Sequence, residues 1–104
     1  MGTLLSFGSA HRIVGTWKHR DGFSDREFTF SLRDGHVEVA VVDTDDGERP
    51  EVMAVEWLEH ELSLRFAVHW STGRLVKYRF QVSPDDNRSL VTMTTTFQEL
   101  WERQ

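Results

Sequence analysis

Two polar side chains could orient a ligand if the segments around them are strands. His19 follows Trp17 by two residues, and such neighbours share one face of a strand. Tyr78 alternates with Val76 and Phe80 in LVKYRFQV, so its ring shares their face and its hydroxyl needs a partner if buried. An imidazole and a phenol could together orient a carboxylate or carbonyl group. The structural alternative places His19 at a wet rim and the Tyr78 ring in the core.

The histidines and the acidic residues do not predict a metal site. Histidine occurs at positions 11, 19, 36, 60 and 69, and no two are spaced i, i+2 on one strand. The run DTDDGER, residues 43–49, departs from a calcium loop because Gly47 stands where a carboxylate or amide is needed. We therefore expect no metal site and no cofactor.

The short motifs of the common enzyme classes are also missing. The chain has no G-x-S-x-G, no P-loop and no G-x-G-x-x-G. It has no cysteine, which excludes thiol catalysis and cysteine-ligated metals. Enzymatic activity is therefore the least favoured function, and no catalytic residue is predicted.

Length and charge limit the remaining possibilities. With 104 residues the chain is the size of one domain, so a single domain is expected over residues 1–104, with residues 1–11 as a lead-in segment. The net charge of -5 argues against a nucleic-acid partner. No segment has the features of a secretory signal or a membrane helix. We expect a cytoplasmic protein with no membrane partner.

Strict alternation of apolar and polar residues predicts an all-β fold. In ELSLRFAVHW every second side chain is apolar, and DREFTFSL and HVEVAVVD show the same period. The predicted strands cover residues 12–20, 25–32, 36–43, 51–57, 61–70, 74–82 and 88–102. Since the last run is long and loses alternation near Thr94, we expect a bulge or a break there, giving seven or eight strands.

Short turns separate these strands. Asp-Gly occurs at 21–22, 34–35 and 46–47, where both residues tolerate the positive φ angles of tight hairpins. Successive strands joined in this way form an up-and-down antiparallel meander. Because such a sheet has one strongly apolar face and no helix to cover it, we expect it to curl into a small barrel.

The first strand carries Gly15-Thr16-Trp17, and the chain ends with an aromatic residue and an arginine, Trp101-Glu102-Arg103. With the meander between them, this pattern resembles the calycin superfamily, and within it the small bacterial lipocalin-like domains. That resemblance implies a barrel whose floor is closed by Trp17, with Arg103 packed across it. Independently of any family, Gly15 suggests that another backbone segment or ring approaches the chain closely at this position. Trp17 suggests a large side chain that fills the space beside it.

Two functions remain open. The first is a small apolar or amphipathic ligand held inside the barrel without catalysis, with these predicted ligand-binding residues: Trp17, His19, Phe28, Phe30, Phe66, Tyr78 and Phe80. The second is a filled barrel that acts as a protein-interaction or homodimerisation module without a small-molecule ligand. Ala40 and Val42 on the outward side of the third strand, with the apolar run 53–55, could form such an interface.

Overall fold

The computed structural model describes residues 10–19, 22, 24–82, 90–96 and 101–104. This part of the chain is all-β, as predicted, with two short 3-10 segments: Ala10–Ile13 precedes the first strand, and Glu59–Glu61 connects the fourth and fifth strands. The seven strands among the described residues are β1 (Gly15–Lys18), β2 (Arg26–Arg33), β3 (His36–Asp43), β4 (Glu51–Leu58), β5 (Ser63–His69), β6 (Leu75–Val82) and β7 (Leu90–Thr96).

The strands form two antiparallel sheets in which spatial order follows chain order. Sheet one contains β1-β2-β3 and sheet two contains β4-β5-β6-β7. The predicted strand positions agree with the structure to within a few residues, except that β1 is shorter than expected. No register shift interrupts the β6–β7 pairing from Val76↔Thr96 to Val82↔Leu90. Of the predicted last strand, residues 88–102, positions 88–89 and 97–100 lie outside the described residues, and Trp101 and Glu102 are not part of a strand.

The Asp34-Gly35 pair forms the tight hairpin turn that the sequence predicts. Asp34 has φ 51° and Gly35 has φ 79°, the two positive values required by a two-residue turn that matches strand twist. Arg33 and His36 are directly opposite each other on either side of it. The turn therefore sets the β2–β3 register, in which Phe28 lies opposite Val41 and Phe30 opposite Val39.

The expectation of one continuous meander fails at the third Asp-Gly pair. Gly47 has φ 78°, so a turn exists, but the strands on either side of it, β3 and β4, belong to different sheets. The loop closes on itself, because Asp43 N donates to Glu48 O at 2.9 Å and Gly47 N donates to Asp43 O at 2.7 Å. Hydrogen-bonded closure of a barrel is not observed among the described strands. The first Asp-Gly pair includes Asp21, which lies outside the described residues, so the predicted turn there is not tested.

A bulge lies in β4 rather than near Thr94. The pairing with β5 shifts between Met53 and Glu56, where β4 contains one more residue than its partner, and Ala54 has φ 56°. Because of this extra residue, Val52 and Trp57 pack against the same core although they differ in sequence parity. The bulge thus explains why the segment EVMAVEWL lacks clean alternation.

The core lies between the two sheets and is rich in aromatic rings. Phe28 and Phe30 of sheet one meet Phe66, Tyr78 and Phe80 of sheet two, and all five are buried. Ring centroids across the sheets are 5.1 Å apart for Phe28–Phe80 and 5.0 Å apart for Phe30–Phe80. Edge-to-face and offset contacts at such distances add about 0.5–1.5 kcal/mol per pair beyond area burial.

Gly15 has a different role from the expected one. A Cβ at this position would meet no atom within 4 Å, so close approach of another group does not explain the glycine. Its φ of 139° does, because side-chain-bearing residues rarely adopt that conformation. Gly15 therefore lets the chain turn from the 3-10 segment into β1.

Replacing Phe30 tests the core. Phe30 is 1% exposed and contacts Phe66 and Phe80, so Phe30→Ala should lower the free energy of unfolding by about 3–5 kcal/mol. The neighbouring Ser31→Ala, at an exposed position of the same strand, should change it by less than about 0.5 kcal/mol. Urea unfolding measures both values, and similar losses in the two variants would contradict this core.

Candidate functional site

The structure brings five of the seven predicted ligand-binding side chains into one cluster. Their rings pack directly on each other, with Phe28–Tyr78 centroids 4.9 Å apart and the stacked Phe66 and Phe80 rings 5.7 Å apart. A ligand could reach the centre of this cluster only by separating rings that are already in contact. A ligand-binding site is therefore expected at the periphery of the cluster and not at its centre.

At one end of the cluster, a cation lies over an aromatic ring. Arg26, the first residue of β2, places its guanidinium carbon 4.2 Å from the centroid of the Trp70 ring. The same side chain donates from Nη1 to the Tyr78 hydroxyl oxygen at 3.4 Å. Arg26 is half-buried, whereas Trp70 and Tyr78 are 4% and 5% exposed. We call these three residues the Arg26 cluster.

The Arg26 cluster has hydrogen-bonding capacity that the protein does not use. Within the described part of the chain, no carboxylate forms an ion pair with Arg26. Trp70 Nε1 is buried and has no hydrogen-bond partner. Buried donors normally have partners, and an unsatisfied one costs about 1–3 kcal/mol. The cluster therefore combines a cation and an unused N–H donor beside a large apolar surface.

Two loop contacts hold this end of the molecule together. Thr44 donates from both its backbone N (2.8 Å) and its Oγ1 (2.7 Å) to Asp25 O, directly before Arg26 in the chain. The Glu48 carboxylate accepts hydrogen bonds from Ser71 N at 2.8 Å and Ser71 Oγ at 3.0 Å, directly after Trp70. Thus the residue next to Arg26 and the residue next to Trp70 are both anchored by the loop between β3 and β4.

The remaining predicted residues are more exposed. Trp17 is half-buried against the core, and its Nε1 donates to Ile13 O at 2.7 Å, which ties β1 to the preceding 3-10 segment. His19 is exposed, which agrees with the rim position considered for it. Arg103 is exposed in the described terminal segment, where Trp101 is 83% exposed. A packing role for Arg103 across Trp17 stays a prediction.

Sequence reasoning named Tyr78 but missed Arg26. The signal was present: Arg26, Phe28 and Phe30 occupy every second position, so they share the inward face of β2. The sequence analysis considered the apolar residues of this face and not the arginine at its start. Its stacking on Trp70 depends on the distance between the two sheets, which the strand pattern does not contain.

Other site types receive no support from the part of the chain that the structure describes. No three His, Asp or Glu side chains there form a group that could hold a metal ion. In the same residues, no helix is long and apolar enough to cross a membrane.

Comparisons with known proteins leave the family open. No protein-family model matches the chain, and searches of curated proteins and of solved structures found no match. The lipocalin-like resemblance therefore stays a prediction.

Removing the charge of Arg26 tests the geometry of the cluster. Arg26→Met keeps an extended apolar side chain but loses the cation over Trp70, so the free energy of unfolding should fall by about 0.5–1 kcal/mol. Arg33→Met, at the exposed end of the same strand, is the matched control and should change it by less than about 0.5 kcal/mol. Equal changes in urea unfolding would contradict a specific role for Arg26.

Proposed function

We propose that this protein binds a small amphipathic molecule at the Arg26 cluster. The polar or anionic head of the ligand lies against the Arg26 guanidinium and the Tyr78 hydroxyl, and its apolar part packs beside them at the end of the aromatic cluster. The observation that carries the proposal is the Arg26 side chain, held 4.2 Å above a buried ring with no carboxylate partner among the described residues. The role is binding, without catalysis.

The chemistry of the cluster favours a carboxylate or a similar oxyanion as the head group. A guanidinium presents several N–H donors in a plane and binds such groups through charge-assisted hydrogen bonds. The buried Trp70 Nε1 is a further N–H donor in the same cluster. Ligand pockets commonly combine a mostly apolar lining with a few polar groups of this kind.

The proposal includes a lipocalin-like arrangement in which the two sheets are the two halves of a barrel. Support comes from the strand order, which follows the chain in both sheets, and from the indole of Trp17 held on the carbonyl of Ile13 where β1 begins. The Arg26 cluster lies toward the other end of β2 from the Asp34-Gly35 turn.

The first experiment is a native mass spectrum of the gently purified protein, compared with the mass after denaturation. A constant additional mass that disappears on denaturation is the expected result. For a defined probe, anilinonaphthalene sulfonate supplies an anionic head on an aromatic body. Its fluorescence should rise on binding, and Arg26→Met should weaken its affinity about tenfold, the effect of losing one charge-assisted contact.

Tyr78→Phe and Arg33→Met complete this design. Tyr78→Phe should weaken the probe less than Arg26→Met, because it removes a neutral hydroxyl, and Arg33→Met should leave its affinity unchanged. If the purified protein carries no additional mass and the probe does not bind, the proposal is wrong. If Arg26→Met binds the probe as tightly as the wild type, Arg26 does not hold the head group.

Homodimerisation is the second candidate, and the edge strands favour it. β3 and β4 end their respective sheets at adjoining points of the chain, and their outer positions leave Ala40, Ala54 and Val55 exposed. Edge strands with apolar side chains can pair with another chain. Ala40 and Val42 lie opposite Thr29 and Glu27, however, so the apolar surface on sheet one is interrupted by polar groups.

Val42→Glu tests this alternative. In a dimer that buries Val42, a carboxylate would be desolvated without a partner, so the variant should shift the protein from dimer to monomer in size-exclusion chromatography. Ser31→Glu, exposed on the same sheet, is the control and should leave the elution volume unchanged. A wild-type protein that elutes as a monomer at all concentrations would eliminate the dimer.

A further inference from the structure

A second feature lies on the outer face of sheet two, away from the aromatic core. A depression of about 480 Å³ opens to solvent there, and Ala67, 7% exposed, contributes to its lining. The side chains of Arg65, Lys77 and Arg79 surround this small residue, and Glu56 and Thr95 also line the depression. Three cations line the depression with one carboxylate, and a second carboxylate, Glu61, contacts Arg79 nearby, in a chain with a net charge of -5.

The register places two of these cations side by side. Arg65 is the direct partner of Arg79 across the β5–β6 ladder, and Lys77, the partner of Ala67, is diagonal to Arg65. Directly opposite side chains have Cβ atoms about 4.5–5.5 Å apart, and like charges at that distance destabilise a sheet. A bound anion would convert this repulsion into attraction.

The protein itself neutralises the arginines only weakly. Arg65 pairs with Glu56 at 2.8 Å and Arg79 pairs with Glu61 at 3.0 Å, and all four side chains are substantially exposed. Exposed pairs contribute about 0–1 kcal/mol, so an incoming anion can share or replace the carboxylates. No ion pair involves Lys77 within the described residues.

Arg79 has a hydrogen-bond donor that no group in the described part of the protein satisfies. Its Nε is buried and has no hydrogen-bond partner, although Nη2 of the same side chain donates to Glu61 and to Gln81. A guanidinium that binds an oxyanion through two parallel N–H groups uses Nε together with a terminal nitrogen. An oxyanion bound in this way would use the Nε that has no partner among the described residues.

From this geometry we propose that the outer depression binds a small multivalent anion, with two or more phosphate or carboxylate groups, between Arg65, Lys77 and Arg79. The size of the depression suits a compact molecule, and the lining offers the Thr95 hydroxyl as an additional donor. Phe66 and Tyr78 also line the depression, but their side chains are buried in the core, so the three cations and the Arg26 cluster lie on opposite faces of β5 and β6. Neither proposal depends on the other.

The experiment is an NMR titration that follows the arginine Nε–H signals at constant ionic strength. Pyrophosphate represents the phosphate class and citrate the carboxylate class. The Arg79 Nε–H signal should shift with at least one of the two in a saturable manner. The combined variant Lys77→Gln and Arg79→Gln should weaken that anion at least about tenfold, followed through the Arg65 signal.

Arg33→Gln, which removes an exposed cation from sheet one, is the control for general electrostatic attraction and should bind as the wild type does. The proposal is overturned if neither anion shifts the Arg79 signal, or if Arg33→Gln weakens binding as much as the combined variant. A polyglutamate peptide that shifts these signals while both small anions leave them unchanged would also overturn it and would assign the face to an acidic protein partner.

Discussion

The contact between Phe28 and Phe30 on one sheet and Phe66, Tyr78 and Phe80 on the other is the interaction on which the rest of the fold depends. Among the described strands, hydrogen bonds stabilise each sheet internally, but no ladder joins sheet one to sheet two. Side-chain packing therefore has to hold the sheets together. The rings do this at centroid distances of 4.9–5.9 Å across the interface.

The same packing determines where a ligand can bind. Five aromatic rings that touch each other occupy the space that the predicted barrel would offer to a ligand, so the proposed binding site lies at the edge of the cluster. There Arg26 lies between Trp70 and Tyr78, where the core meets the loops. The pairing of a desolvated aromatic surface with one cation gives this edge both an apolar and a polar means of recognition.

The two faces of sheet two differ in chemistry for a simple geometric reason. Alternation along β5 and β6 sends Phe66 and Tyr78 inward and Arg65 and Lys77 outward. The inner face holds the two sheets together and contributes Tyr78 to the Arg26 cluster. Among the described residues, the outer face makes no contact with sheet one in this core, and it carries the cations that we propose bind an anion.

Much of this architecture could be predicted from local pattern. Period-two alternation located the strands, and Asp34-Gly35 predicted a tight hairpin that the structure confirms, because both properties depend on residues close in the chain. The inward parity of Phe28, Phe30, Phe66, Tyr78 and Phe80 followed from the same alternation. These features need no knowledge of which distant strands meet.

Only the tertiary structure decided the features that depend on contacts between distant segments. The separation of β3 from β4, the bulge at Ala54 and the position of Arg26 over Trp70 each reflect packing between residues far apart in sequence. Gly15 shows the same division. The sequence predicted that this position requires glycine, but the structure shows that the requirement comes from its positive φ angle and not from a crowded neighbour. Alternation specifies which face a side chain occupies, whereas the distance between sheets decides what that side chain meets.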